Sequence, residues 1–174
     1  MARAVRRSSV RISEFRHSRI RQRRADNAVV ERNEIMSPSG AVYLSNNDRL
    51  EHNRLYANFD VVVIVRGNGN ALIDNVIDGA RGEYTSAVNL TGNCNVLLRN
   101  TVLVHMLGGA VLHVDGTANT LDANVVPPGG DSSASYGIRF RQAGNFYGNN
   151  RISAATPYDL GGVPQTDWGG NISY

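Results

Sequence analysis

A chain of 174 residues with 41% apolar content is long enough to bury one core and does not have the composition of a disordered segment. Eighteen glycines, many asparagines and few aromatics favour short strands joined by turns over long helices. Of the eighteen arginines, nine lie in residues 1–24 against Glu14 alone and the rest face fourteen acids, so only the leading end is basic.

That leading segment, residues 1–24, alternates apolar and basic residues. Arg11 stands between Val10 and Ile12, and Ile20 between Arg19 and Arg21. It lacks the apolar core of a secretory signal, and no run in the chain reaches the length of a membrane span, so no membrane partner is expected and no compartment is indicated. Aromatics are not interleaved with the arginines, which disfavours a nucleic-acid surface.

From residue 25 to 155 the sequence repeats. An apolar residue, two variable positions, asparagine, one variable position and an aliphatic recur as Val30-Glu31-Arg32-Asn33-Glu34-Ile35, Leu50 to Leu55, Leu72 to Ile77, Leu97 to Val102, Leu121 to Val126 and Tyr147 to Ile152. Five residues before each key asparagine stands Ala28, Asp48, Asn70, Asn95, Asn119 or Asn145. Ahead of most copies runs a short alternating strand: Val42-Tyr43-Leu44, Val63-Ile64-Val65, Val88-Asn89-Leu90, Leu112-His113-Val114 and Ile138-Arg139-Phe140. Period two sends the outer residues of each triplet inward and the middle one outward. Each unit thus supplies three brief strands and three turns, one coil of a solenoid. The asparagines are expected to provide the left-handed residue of a sharp bend and to stack their amides from coil to coil.

These residues make the chain resemble the right-handed parallel β-helix proteins of the pectate-lyase-like superfamily, with their asparagine ladder at the second turn. The resemblance covers residues 25–155 and implies an all-β parallel solenoid of about seven coils. A left-handed hexapeptide helix is excluded, because no six-residue period is present. Residues 8–24 then read as a degraded first coil with Ile12 opposite Val30. Residues 156–174 read as an irregular C-terminal tail or cap, in which Trp168 is either a plug over the last coil or a packing tryptophan. Neither a capping helix nor extra coils precede the repeat. Three explanations stay open: further upstream coils in a longer protein, a partner covering the first coil, or the arginines acting as charged guards against edge association.

The superfamily binds ligands in a groove along the first sheet, walled by the third-turn loops. The outward residues of that sheet form two columns here, Tyr43, Ile64, Asn89, His113, Arg139 and Ser45, Arg66, Thr91, Asp115, Arg141. His113, Asp115, Arg139 and Arg141 fall on adjacent coils and form the candidate catalytic cluster. Arginines can pair a uronate carboxylate in two-pronged fashion, and a histidine held by an aspartate could move the C5 proton. Tyr43, Arg66, Asn89 and Thr91, with Glu83 and Asp131 from the third-turn loops, are the candidate ligand contacts.

The departures from the superfamily are equally specific. Only Asp115 stands in columns where pectate lyases gather several aspartates for calcium, and the paired aspartates of polygalacturonases are missing. Tyr136-Gly137-Ile138 matches the start of a uronate-epimerase motif, but Arg139 replaces its aspartate. His17, His52 and His105 are scattered, no spacing reads as a transition-metal site, and no cofactor is expected. Cys94 is the single cysteine and excludes an internal disulfide. The sequence therefore points to a non-catalytic β-helix module that binds an acidic polysaccharide. A polysaccharide lyase or uronate C5-epimerase is the enzymatic alternative, and a structural module of a larger assembly such as a tailspike or adhesin is the third.

Overall fold

The computed structural model describes residues 26–37, 42–57, 61–79, 82, 85–105, 108–128 and 134–174, with the two-residue strands Ser9–Val10 and Phe15–Arg16. Glu83 and Asp131 lie outside the described residues. The described residues hold twenty-two short strands and no helix. One coil shows the plan. Ala71–Ile73 and Val76–Gly79 meet at a tight bend, and Val88–Leu90 returns the chain to the start of the next coil. Repeating this route builds three parallel sheets of eight, eight and six strands. Val88–Leu90 lies in the first sheet, Ala71–Ile73 in the second and Val76–Gly79 in the third. The molecule is the right-handed parallel β-helix that the repeat predicts, about 34 Å long at the usual strand spacing. Six coils carry a strand in every sheet, slightly fewer than the seven expected.

Alternation decides what is inside. Val30, Leu50, Leu72, Leu97, Leu121 and Tyr147 form one buried column, and Ile35, Leu55, Ile77, Val102, Val126 and Ile152 form a second. The first sheet contributes the flanking residues of each triplet, from Val42 and Leu44 up to Ile138 and Phe140. Each large aliphatic removed from water in this way contributes about 2 kcal/mol.

The ladder asparagines are buried as expected, but they are not the left-handed residues. Positive φ falls one position earlier, at Arg32, His52, Asp74, Arg99, Ala123 and Asn149, each between 53 and 55°. The side chain at the left-handed position faces outward, so its chemistry is free to vary. The next residue turns inward, where only a small group with both donor and acceptor can serve the bent backbone. Asn100 illustrates the scheme. Its Oδ1 accepts from the backbone N–H and the Nδ2 of Asn75, and its own Nδ2 donates to Asn124 Oδ1 and Leu72 O. The same chain of bonds runs from Asn33 to Asn171. A second buried ladder joins Asp48, Asn70, Asn95, Asn119 and Asn145, and Gln165 accepts from the Asn145 N–H at its upper end. A third, exposed ladder links Asp26, Asn46, Asn68, Asn93 and Thr117.

Two expectations about the ends change. Val10, not Ile12, stands opposite Val30, and Phe15 stands opposite Ile35. The first coil is therefore 20 residues long, the same as the step from Val30 to Leu50 in the next coil. Residues 156–174 continue the solenoid, with Thr156–Asp159, Thr166–Asp167 and Ile172–Ser173 each adding a strand to one sheet. They also terminate the core, because the inward column positions turn aromatic or polar. Tyr158 follows Ile138, Asp167 follows Tyr147 and Ser173 follows Ile152. Phe140, Tyr147 and Tyr158 pack as tilted rings with centroids 5.5 Å apart beneath this polar lid. Trp168 does not plug the core: its ring lies outside the second sheet, over Gly148.

Candidate functional site

The outward face of the first sheet carries the residues singled out by the sequence, in the expected order. Backbone register places Tyr43, Ile64, Asn89, His113 and Arg139 in one column and adds Asp159 at its upper end. Arg66, Thr91, Asp115 and Arg141 follow each other in the next column, where each N–H donates to a carbonyl of the coil below. Their side chains meet less fully than the columns suggest.

Arg139 is half-buried and already engaged. Its guanidinium carbon lies 4.3 Å from the Tyr136 ring centroid, and its Nε is 2.9 Å from Asp159 Oδ2. The same Nε has no well-directed hydrogen-bond partner, so the contact with Asp159 is an ion pair held by proximity more than by aligned bonding. Arg66 is exposed and lies over Tyr43, at 5.4 Å from the ring centroid. Arg141 is exposed and forms no ion pair among the described residues. Asp115 accepts from Gln142 Nε2 at 3.4 Å, and no ion pair joins it to His113 among the described residues. Thr91 turns its hydroxyl toward Val65 O at 3.3 Å. Asn89 is half-buried between Ile64 and His113.

His113 is half-buried, and burial is the main reason that its pKa falls below the ordinary imidazole value. Arg141 and Arg139 push in the same direction, and Asp115 opposes them. The ring is therefore neutral at neutral pH and can accept a proton.

Sequence reasoning missed Asp159, which neutralises Arg139, because the tail was read as irregular. The signal was available: Tyr158-Asp159 follows Ile138-Arg139 after 20 residues, within the range of coil lengths. The exposed ladder was legible in the same way, since Asn46, Asn68 and Asn93 recur at coil spacing.

The potential metal ligands are dispersed. His52 Nε2 lies 3.7 Å from Asp74 at the bend between the second and third sheets, and His105 Nε2 lies 3.6 Å from Asp78 Oδ1 just beyond the third sheet. His113 is on the first sheet, and Cys94 is exposed at the turn leading into the second. No three His, Cys, Asp or Glu residues come together among the described residues.

The family model described as periplasmic copper-binding protein (NosD) matches residues 2–172, nearly the whole chain. The chain belongs to the NosD family. Neither the curated proteins nor the solved structures gave a match. Copper in proteins is held by imidazole, thiolate or thioether groups converging from three or four directions. The described residues of this NosD chain do not fit that requirement, because His52, His105, His113 and Cys94 are dispersed around the rod, and His17 lies outside the described residues.

Proposed function

We propose that the chain is a non-catalytic β-helix module that binds an acidic polysaccharide along its first sheet. The observation that carries this reading is the pair of exposed guanidinium groups, Arg66 and Arg141, in one column three coils apart. At the usual strand spacing they are about 14 Å apart along the rod axis. An extended polymer with repeated carboxylates would meet both, each in two-pronged fashion. Tyr43 beneath Arg66 and Thr91 between the arginines supply neutral contact. Of the two acids on this face among the described residues, Asp159 is balanced by Arg139, whereas Asp115, between Thr91 and Arg141 in the column, opposes the polymer.

A second reading follows from His113. A neutral imidazole flanked by two arginines is suited to take the C5 proton of a uronate whose carboxylate an arginine neutralises. Departure of the 4-linked group would complete an elimination, and return of the proton to the opposite face would complete an epimerisation. Against this reading, Asp115 does not hold the ring.

The test is a screen against pectate, alginate and glycosaminoglycans, with and without calcium. It follows unsaturated products by ultraviolet absorbance, C5 inversion by proton NMR and binding by calorimetry. The module reading expects heat of binding without turnover. Turnover that disappears in His113→Ala would replace it with the enzymatic reading.

A further inference from the structure

We propose that Phe146 and Trp168 form a separate carbohydrate platform on the outside of the second sheet, suited to a neutral pyranose stacked on its apolar face. On that sheet, these are the two large hydrophobic side chains that stand exposed among the described residues, at 37% and 48%. Their ring centroids are 6.3 Å apart and their planes differ by 21°. The separation is too long for full face-to-face overlap, so the two near-parallel rings are stacked with an offset, each leaving apolar surface exposed. Gly148 makes this possible. A Cβ at that position would fall on the indole, so only glycine lets the ring settle over the strand.

The surroundings select the ligand. In the column of Gly148 and Trp168, the next coil down carries Asp122, whose Oδ1 accepts from Asn149 Nδ2 at 2.9 Å. A carboxylate and an amide beside an aromatic surface match a sugar ring, which offers C–H groups on one face and hydroxyls around its edge. The C–H groups meet the electron-rich face of an aromatic ring, and the hydroxyls bond to the carboxylate and amide. Asp122 in that column and Asp167 beside Trp168 are anions that repel phosphate and uronate, and Arg99, which acts on Asp122 electrostatically, is already paired with Asp74. The platform therefore takes a neutral glycan, unlike the arginine-bearing first sheet. Further down, Leu98 and Ile73 occupy the same column but are half-buried. The exposed aromatic area is thus two side chains, small beside the roughly 800 Å² per partner of a stable protein interface.

Trp168 is the single tryptophan, so the intrinsic emission of the whole protein reports on this site. Titration with cellohexaose, xylohexaose, mannohexaose and galactohexaose is expected to shift that emission saturably for at least one of them. The shift persists in the Arg66→Ala/Arg141→Ala double variant, which separates this site from the first sheet. Trp168→Ala, with unchanged circular dichroism, is expected to lower the calorimetric affinity about tenfold or more. Gly148→Ala, which displaces the ring without removing it, lowers the affinity as well. The proposal is overturned if no member of the panel changes emission or gives heat, or if affinity survives in folded Trp168→Ala. It is also overturned if emission shifts with protein concentration alone, which would make the platform a contact between two copies of the chain.

Discussion

Asn75, Asn100, Asn124 and Asn150 each make four side-chain hydrogen bonds, and Asn100 shows what the loss of one means. In Asn100→Ala the N–H of Asn75 loses its acceptor and Leu72 O loses its side-chain donor, while Asn75 Nδ2 keeps Leu50 O and Asn124 Oδ1 keeps the residue-100 N–H. Buried groups left unpaired cost about 1–3 kcal/mol each, so a loss of about 4 kcal/mol is expected in urea unfolding. Asn100→Asp is expected to be no milder, because its second oxygen would face two acceptors. Asp48 tolerates a carboxylate in the other ladder because donors meet both oxygens: Ala28 N–H at 2.9 Å and Ser45 N–H at 2.7 Å. Burial nevertheless raises its pKa, with those two N–H groups pulling it down in part and Asp26 adding to the rise. The folded state therefore binds this proton more tightly than the unfolded state. The Asp48 contribution to stability is greatest below the ordinary carboxylate range and is lost as pH rises through the raised value. Asp48→Asn is expected to remove that pH dependence, whatever its effect on absolute stability, and denaturation at a series of pH values reads this directly.

At the scale of the coil, the Asn column and the alternating triplet were legible because both follow strand geometry with little room for variation. The left-handed position was not, since an outward side chain places no demand on residue type: Arg, His, Asp, Ala and Asn all occupy it. The last coil was hidden for a related reason. Its core positions carry Tyr158, Asp167 and Ser173 in place of aliphatics, so the apolar signal fades where the solenoid needs a polar lid. The candidate cluster was legible as columns but not as contacts. Strand register sets which residues are neighbours, whereas ion pairs depend on side-chain reach, and Arg139 turns to Asp159. A coil is also a unit that touches only its neighbours. Deleting Asn100 to Ala123 joins Arg99 to Asn124 and keeps both buried ladders in register. The shortened chain is expected to keep its β-type circular dichroism and unfold at a lower temperature. A disordered spectrum would show that coils are not interchangeable.

For the whole molecule, the three faces of the rod differ in chemistry. The first sheet carries exposed arginines, the second carries the aromatic pair, and the ladders between them are mainly amides, with Asp26 and Asp48 at their lower end. Membership of the NosD family accounts for the solenoid, whereas the described residues gather no three metal ligands. Copper added to the purified protein is therefore expected to remain with a competing chromophoric chelator. Stoichiometric copper retained by the protein and lost in His105→Ala would overturn that expectation. The central claim is that the first sheet holds an acidic polymer through two arginines. The most direct test is fluorescence anisotropy of a labelled oligogalacturonate, titrated with the wild-type protein and with Arg66→Ala/Arg141→Ala at low and physiological salt. The account expects saturable binding that weakens with salt and falls about tenfold or more in the double variant. Equal affinity in the two proteins, or no binding by the folded wild type at low salt, would contradict it.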